Sequence, residues 1–476
     1  MALMKHRMAQ MESETAKLRS ELDETRTQPG IIRPVQKSPA ASAASESAAV
    51  APKQSARSSR GESSLRKVQK RLASIEEQQG LLQSEVRDQN QIKVESASKY
   101  RLQLSGIALL NLFSNRGNAD NLDVPQIAEA PGPLSSNALF GATVRQSEVG
   151  VEVFGPSLAG ARIHGEIHTD FFGGSPAVLN GGTSGIMRIR TATVHLDWHN
   201  TSLVAGQDAL FFSPLFPTSF ASLAEPAFAY SGDLWGWTPQ IRLEHRFAYS
   251  ESSALLVQGG ILDSLTGEPP VNSFYRTGQA GERSGQPAYA GRVAWTRASS
   301  GRKATLGVGG YFSSENWGFG RRIPGWAATA DWNIPLDRWF SLSGELYRGH
   351  AVGGLGAGTG RSVLYNGLLT SPQTSILGLD SAGGWGQLKF RPLERLEFNV
   401  AFGEDKPFAS DIRRFPGARS YFDPSIDRNQ SGLVNLIYYP RSDFVLSLEY
   451  RRLRTSEIAN SLYRAGQINL GVGVRF

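Results

Sequence analysis

The last ten residues of the chain alternate without a break. Ile468, Leu470, Val472, Val474 and Phe476 are apolar, and between them stand Gln467, Asn469, Gly471, Gly473 and Arg475. A period of two places the two sets on opposite faces of a β-strand. The pattern recurs at Phe340, Leu342, Gly344 and Leu346, and at Leu396, Phe398, Val400 and Phe402. It recurs again at Ile241, Leu243, His245, Phe247 and Tyr249, set against Arg242, Glu244 and Arg246. A further copy sets Ala161, Ile163, Gly165 and Ile167 against Arg162, His164 and Glu166. Alternation of this kind suits a soluble sandwich with a wet outer face. It suits equally a membrane barrel whose apolar face meets lipid and whose polar face lines a lumen.

Strand number and loop rhythm separate the two cases. Sixteen such segments begin near Tyr100, Ala142, Ala161, Ile186, Ser202, Gln240, Ala254, Ala288, Lys303, Arg322, Phe340, Gly384, Leu396, Leu433, Phe444 and Ser461. Short connections at 155–160, 199–201, 250–253, 298–302, 335–339, 391–395 and 440–443 alternate with long ones at 113–139, 173–185, 210–239, 263–287, 313–321, 350–383 and 403–430. An even strand count with short turns at one end and long loops at the other is the pattern of outer-membrane barrels. Sixteen strands leave room for an aqueous lumen. Tyr249, Trp295, Trp332, Tyr347, Phe390, Tyr438, Tyr450 and Phe476 fall near strand ends, where interfacial girdles are expected. No apolar run reaches the ~18–20 residues of a membrane-spanning helix. The expected fold is all-β: a 16-stranded antiparallel transmembrane β-barrel over 99–476, preceded by an N-terminal α-helical coiled coil.

That helical part rests on heptads. Met4, Met8, Met11, Thr15, Leu18 and Leu22 step by four and three within 1–27. Within 63–98 the steps run Leu65, Val68, Leu72, Ile75, Gln79, Leu82, Val86, Gln89 and Lys93. Leucine at a with β-branched residues at d disfavours a two-stranded coil. Arg71 and Glu76 flank the Leu72/Ile75 pair in a trimer-favouring layout, which Arg7–Met8 and Met11–Glu12 repeat. Gly80 should weaken the second segment by ~1 kcal/mol per helix. A single amphipathic helix folded onto a globular body is the plainer alternative. Residues 28–62, rich in Pro, Ala and Ser, read as a flexible linker.

Composition closes several routes. There is no cysteine, which excludes disulfides, thiolate metal sites and cysteine nucleophiles. Fifty Lys and Arg against 43 Asp and Glu leave +7, spread too thinly for nucleic acid. Met1–Gln10 carries Lys5, His6 and Arg7 with no apolar stretch behind them, so no leader is legible there. A misplaced or truncated start is the expectation.

Coiled coil, linker and barrel in this order resemble the DcaP-like trimeric porins of Gram-negative outer membranes. Leu203-Val204-Ala205-Gly206-Gln207-Asp208, followed by the aromatic and Pro-rich 211–217, is similar to that family's strand-and-loop signature. The terminal Phe476 resembles the signal read by the outer-membrane assembly machinery. The resemblance implies a homotrimer in outer-membrane lipid and lipopolysaccharide, with the coil in the periplasm. It also implies passive uptake of small, often anionic, solutes without enzymatic activity, cofactor or metal. A structural tether to peptidoglycan is the competing role.

Candidate site residues follow from parity. The long loop 210–239 is expected to fold inward and narrow the lumen through Phe211, Phe212, Phe216 and Trp235, with Glu225 and Asp233 supplying fixed charge; packing over the rim or a trimer interface is the alternative. Candidate pore-lining residues are Arg145, Arg162, His164, Glu166, Arg242, Glu244, Arg246, Arg292, Lys389, Arg391 and Arg451, and cross-strand carboxylates should neutralise many of the cations. Arg188 and Arg190 are ambiguous, because Val194 and Leu196 put the same parity toward lipid. His164, Glu166, His168 and Asp170 share one strand face, yet alternate residues stand ~6.6–7 Å apart, too far for one ion to bind all four. The glycine-rich 353–360 lacks the Lys-Ser/Thr of a phosphate loop and is expected to be a mobile outer loop.

Overall fold

The computed structural model describes residues 100–476 apart from 134, 175–184, 269–275, 300, 416 and 421–422, together with the backbone of Val94–Glu95. The heptad segment at 1–27, the linker at 28–62 and the heptad positions Leu65, Val68, Arg71, Leu72, Ile75, Glu76, Leu82 and Val86 lie outside the described residues.

Among the described residues sixteen antiparallel strands close a single barrel. They are β1 (Arg101–Arg116), β2 in two parts (Ala138–Thr143 and Glu148–Phe154), β3 (Arg162–Asp170), β4 (Arg188–Asp197), β5 (Thr201–Ala209), β6 (Trp237–Ser250), β7 (Ser253–Leu262) and β8 (Ala288–Ser299). There follow β9 (Arg302–Asn316), β10 (Arg322–Pro335), β11 (Phe340–His350), β12 (Asp380–Leu393), β13 (Leu396–Pro407), β14 (Ile426–Arg441), β15 (Phe444–Glu457) and β16 (Leu462–Arg475). Each pairs with its sequence neighbour, and β16 returns to β1 from Ile107↔Arg475 to Arg116↔Gly466. Closure leaves no free strand edge in the hydrocarbon, where unpaired backbone groups would cost several kcal/mol each.

Two faces emerge as the alternation requires. On β16, Ile468, Leu470 and Val474 point outward and are exposed, while Gln467, Asn469 and Gly471 point inward and are buried. Outward Tyr249, Trp295 and Tyr438 are exposed near strand ends; Tyr450 is outward and exposed but stands in the middle of β15, and Tyr347 is not in a girdle. Its parity is inward, and its hydroxyl donates to Asp405 Oδ1 at 2.5 Å.

Strand boundaries differ from expectation where polar residues extend the ladder. β12 starts at Asp380 and β14 at Ile426, so both flanking loops are shorter than their composition suggested. β2 begins at Ala138, under the polar stretch assigned to a loop, and breaks at 144–147, where a tight turn brings Ser147 Oγ to the Leu109 N–H at 2.9 Å. Val94–Glu95, assigned to the end of the helical segment, is extended and pairs with Leu102 and Arg101. β16 reaches β1 only from Ile107 onward, so the first residues of β1 carry unpaired backbone groups on that side and take up this short strand.

Candidate functional site

The third long loop, 210–236, turns into the lumen and crosses it. Its polar atoms are taken up in succession around the wall. Thr329 Oγ1 on β10 donates to Phe212 O at 2.6 Å, and Glu345 on β11 accepts from Ser213 Oγ at 2.5 Å and from Leu215 N at 2.8 Å. Gln387 on β12 accepts from Thr218 N, Asn435 on β14 donates to Thr218 O, and Glu449 on β15 accepts from Ser219 Oγ. On the far side Asn111 of β1 donates to Phe220 O, and Gln146 in the β2 break accepts from Leu223 N. The return limb presses against bare backbone. Gly232 has φ 102°, and a Cβ there would lie 2.3 Å from Gly384 O and 2.5 Å from Glu404 O, so only glycine fits.

Aromatic burial anchors this crossing. Phe212 stacks on Tyr311 at 5.3 Å, and Phe228 is packed with Trp385, Ala401 and Leu433. Each fully buried ring is worth ~1.5–3 kcal/mol against exposure. Phe211 is also buried, while Trp235 is half-buried and donates from its backbone N–H to Leu355 O. Phe216, 40% exposed, is the aromatic of this loop that reaches open space. Asp233 was expected to supply fixed charge, but burial pushes its carboxyl well above the usual carboxylate range, and nearby Glu345 pushes it further. Glu225 is half-buried, and burial raises it to about 7 despite Arg188 beside it.

The sixth loop, 351–379, also enters the barrel. The glycine-rich stretch expected to be a mobile outer loop is buried from Gly353 to Gly360, except for half-buried Gly354. Thr359 N–H donates to Asp405, and buried Arg361 donates to Gly358 O, Asp423 O and Ile426 O. Small residues without charge can pack inside a lumen, so the composition that suggested mobility serves burial instead.

What stays half-exposed is the inner wall of β3–β6. There Arg242 donates to Asp208 and Glu244, each at 2.6 Å, and lies over Phe211. Arg188 pairs with Asp170 at 2.7 Å, Arg190 with Glu148, and both guanidiniums lie 5.0 Å from the Trp237 ring centre. Arg145 pairs with Asp123 over Phe172. His164 stacks on His195 at 4.3 Å and approaches Asp197 at 3.3 Å, while Glu166 lies between His168 and His195. No group of three or more such side chains able to hold a metal occurs among the described residues.

The Arg188/Arg190 ambiguity resolves through a β-bulge. Partners shift from His168↔Thr191 to Thr169↔Ile189, so Arg190 is the extra residue. Arg188 and Arg190 turn inward, while Val194 beyond the bulge keeps the same parity outward.

Other expected lining residues separate into two groups. Arg292 is buried and held by both carboxylate oxygens of Asp331, and Arg451 is buried against Glu449 and Ser222. Neither faces open lumen: wall residues Gln258 and Asp331 enclose Arg292, and loop residues Pro125 and Ser222 lie against Arg451. Lys389 pairs with Glu397 at 3.0 Å. Arg162, Arg246 and Arg391 are exposed on the inner parity at the short-turn end, with no carboxylate within 4 Å among the described residues. Phe476 exchanges backbone hydrogen bonds with Gly106, at 2.9 and 3.1 Å. Loops 117–137 and 351–379 were missed as lumen fillers. The signal lay in their buried small residues and in Asp120 and Asn121, whose side chains accept from nearby backbone N–H groups and brace the first loop.

A closed sixteen-stranded barrel, short turns at one end, and a third loop crossing the lumen define a porin-type outer-membrane β-barrel fold. Among solved structures it is similar to the outer membrane channel DcaP of Acinetobacter baumannii. That match has a TM-score of 0.59 and 16% identity, covering 81% of this chain and 99% of that one. An anion-selective porin from Comamonas acidovorans matches with a TM-score of 0.47 and 11% identity, over 79% of this chain and 100% of that one. No protein-family model and no curated protein sequence matches the chain.

Proposed function

We propose that the chain is an outer-membrane porin of the DcaP-like kind, a water-filled channel for passive diffusion of small hydrophilic solutes, with a modest preference for small anions such as carboxylates. The observation that carries this reading is the half-exposed inner wall of β3–β6, left uncovered by a loop that fills the remaining lumen. A path lined by fixed guanidiniums and carboxylates stabilises hydrated ions and polar solutes. The preference is modest because Arg145, Arg188, Arg190 and Arg242 are all paired with carboxylates. The unpaired Arg162, Arg246 and Arg391 at the periplasmic mouth bias entry, within a Debye length of ~8–10 Å.

The protein works as a homotrimer without enzymatic activity. Its N-terminal segments 1–27 and 63–93 form a periplasmic trimeric coiled coil, and the assembly machinery reads Phe476. Val94–Glu95 supports the periplasmic side, since it joins β1 at the short-turn end. That same arrangement favours the second reading, a tether from the outer membrane to peptidoglycan.

Planar-bilayer conductance tests the choice. Stepwise openings in threes support a trimeric channel; a silent barrel leaves the tether. Sedimentation of segment 63–98 tests the coil: a trimer that Leu72→Asp with Ile75→Asp dissociates is expected, and a dimer counts against it.

A further inference from the structure

On the outward face, charge gathers toward the long-loop end; on β11–β14 it includes the ion pairs Arg348–Asp380 and Arg428–Glu404. Where β15, β16 and β1 meet near the long-loop end, the face carries four arginines. Arg452, Gly466 and Arg116 stand directly across from one another on the three strands, and one pair further out Arg454 stands opposite Arg464. All four arginines are exposed. Among the described residues none lies within 4 Å of a carboxylate, although guanidiniums inside the barrel are mostly paired.

Gly466 has no side chain, so the surface between Arg452 and Arg116 is hollow. The concavity measures about 470 Å³ and is lined by Arg116, Arg452, Arg464, Tyr450 and Ile468. Adjacent strands lie ~4.8 Å apart, which puts the backbones bearing Arg452 and Arg116 roughly 10 Å apart. Two guanidiniums reaching inward across that gap can grip one tetrahedral anion from both sides, the geometry in which arginine forks are strongest. Like charges directly opposed across a ladder, as Arg454 and Arg464 are, repel unless an anion lies between them.

The floor of the hollow is apolar. Tyr450 pairs with Ile468, and Leu448 with Leu470, continuing the lipid-facing surface toward mid-membrane. An occupant must therefore present anionic oxygen at the rim and hydrocarbon below it. On the outer-membrane reading given above, on which this inference rests, the long-loop end faces the outer leaflet. We propose that Arg116, Arg452, Arg454 and Arg464 form a binding site for the phosphate of an acylated glycolipid of that leaflet, lipopolysaccharide, whose chains lie along Tyr450 and Ile468.

The test titrates the purified full chain in mild detergent with three probes: rough-type lipopolysaccharide, its dephosphorylated form, and inorganic phosphate. The wild type should bind the first, with the second weaker by on the order of tenfold, as expected for losing charged hydrogen bonds. Arg452→Glu with Arg464→Glu should weaken lipopolysaccharide by at least as much. Arg452→Gln with Arg464→Gln should give a smaller loss, and it replaces the charge-reversed pair if that pair fails to fold. Arg338→Glu, on an exposed turn at the opposite end, should leave binding unchanged. Heat-modifiable gel mobility reports folding in each variant. Unchanged binding in both double variants, equal binding of the dephosphorylated lipid, or inorganic phosphate binding as tightly as the lipid would each overturn the site. So would a double variant that loses trimers yet keeps the lipid, because the arginines would then face another copy. A protein that binds the lipid but conducts nothing defeats only the channel reading.

Discussion

Two stretches of one wall follow the same alternation and end in opposite states. Along β10–β15 the inward side chains Glu345, Gln387, Asn435, Glu449 and Arg451 are buried, because loop 210–236 spends its polar groups on them. Along β3–β6 the inward His164, Glu166, Arg188, Arg190, Arg242 and Glu244 are only half-covered. Both stretches are rich in charge, and both pair it. The difference lies in how completely the loop covers each: it meets Arg188 through Ala224 O and Arg242 through Phe211, yet leaves both partly exposed. A buried pair such as Arg292–Asp331 acts as a structural element, whereas a partly exposed pair such as Arg190–Glu148 keeps polar atoms within reach of water. Polarity of an inward residue thus does not by itself identify a pore residue; water access does.

The comparison can be broken most severely by removing the crossing loop. Deleting 213–231 should expose both stretches alike and raise single-channel conductance several-fold; unchanged conductance would mean that the loop does not limit the path. Next in size is a substitution on the covered side. Arg292→Ala leaves Asp331 buried without its partner and should cost about 3–5 kcal/mol, read as a lower unfolding midpoint with an unshifted reversal potential. On the open side, Arg242→Ala should instead leave stability little changed and shift the reversal potential in a salt gradient toward cations. Arg162→Ala and Arg246→Ala should shift it the same way, and no shift in any of the three would remove the anion preference.

The smallest expected effect concerns Glu225, raised to about 7 by burial beside Arg188. Because its folded value lies above the ordinary carboxylate value, its contribution to holding the loop is complete at acid pH and is lost as pH rises through about 7. Protonation also removes a negative charge from the edge of the path. Anion preference should therefore strengthen from about pH 8 to about pH 6, and Glu225→Gln should flatten that dependence. A wild-type profile as flat as the variant's would place Glu225 away from the permeating ion.

Much of this barrel can be read from periodicity, since a two-residue repeat against lipid leaves few choices. Strand order and the placement of Arg242 and Glu244 on the inner face follow directly. What could not be read is set by backbone events without a side-chain signature. The bulge at Arg190 reverses parity within one strand, and nothing in Arg-Ile-Arg-Thr announces it. The burial of 353–360 depends on residues of other loops and strands, Trp235, Leu265 and Asp405 among them, that no local pattern brings together. Arg292 and Arg242 look alike in sequence, both inward and both flanked by apolar neighbours. They differ in their partners: Arg292 is enclosed between Gln258 and Asp331, whereas Arg242 stays partly exposed beside Phe211. Gly206 is a partial exception: its φ of 139° and a would-be Cβ contact of 2.1 Å with Ala192 O explain why glycine stands in the Leu203–Asp208 stretch.

The seam between β1 and β16 has a consequence for how such a chain matures. Asn111 and Asn469, which share a hydrogen bond across the seam, are separated by 358 positions. A ring joined at its two ends cannot form progressively from the ribosome outward, because its first strand has no final neighbour until the last one has been made. Contacts of such long range are slow to find, and the waiting strands expose sticky edges. Closure of the ring therefore has to wait for the last strand, and the barrel is sealed in one late event. Changes at Ile107, Leu109 or Gly473, which line that seam, should then appear first as slower closure, read as a delayed shift in heat-modifiable gel mobility.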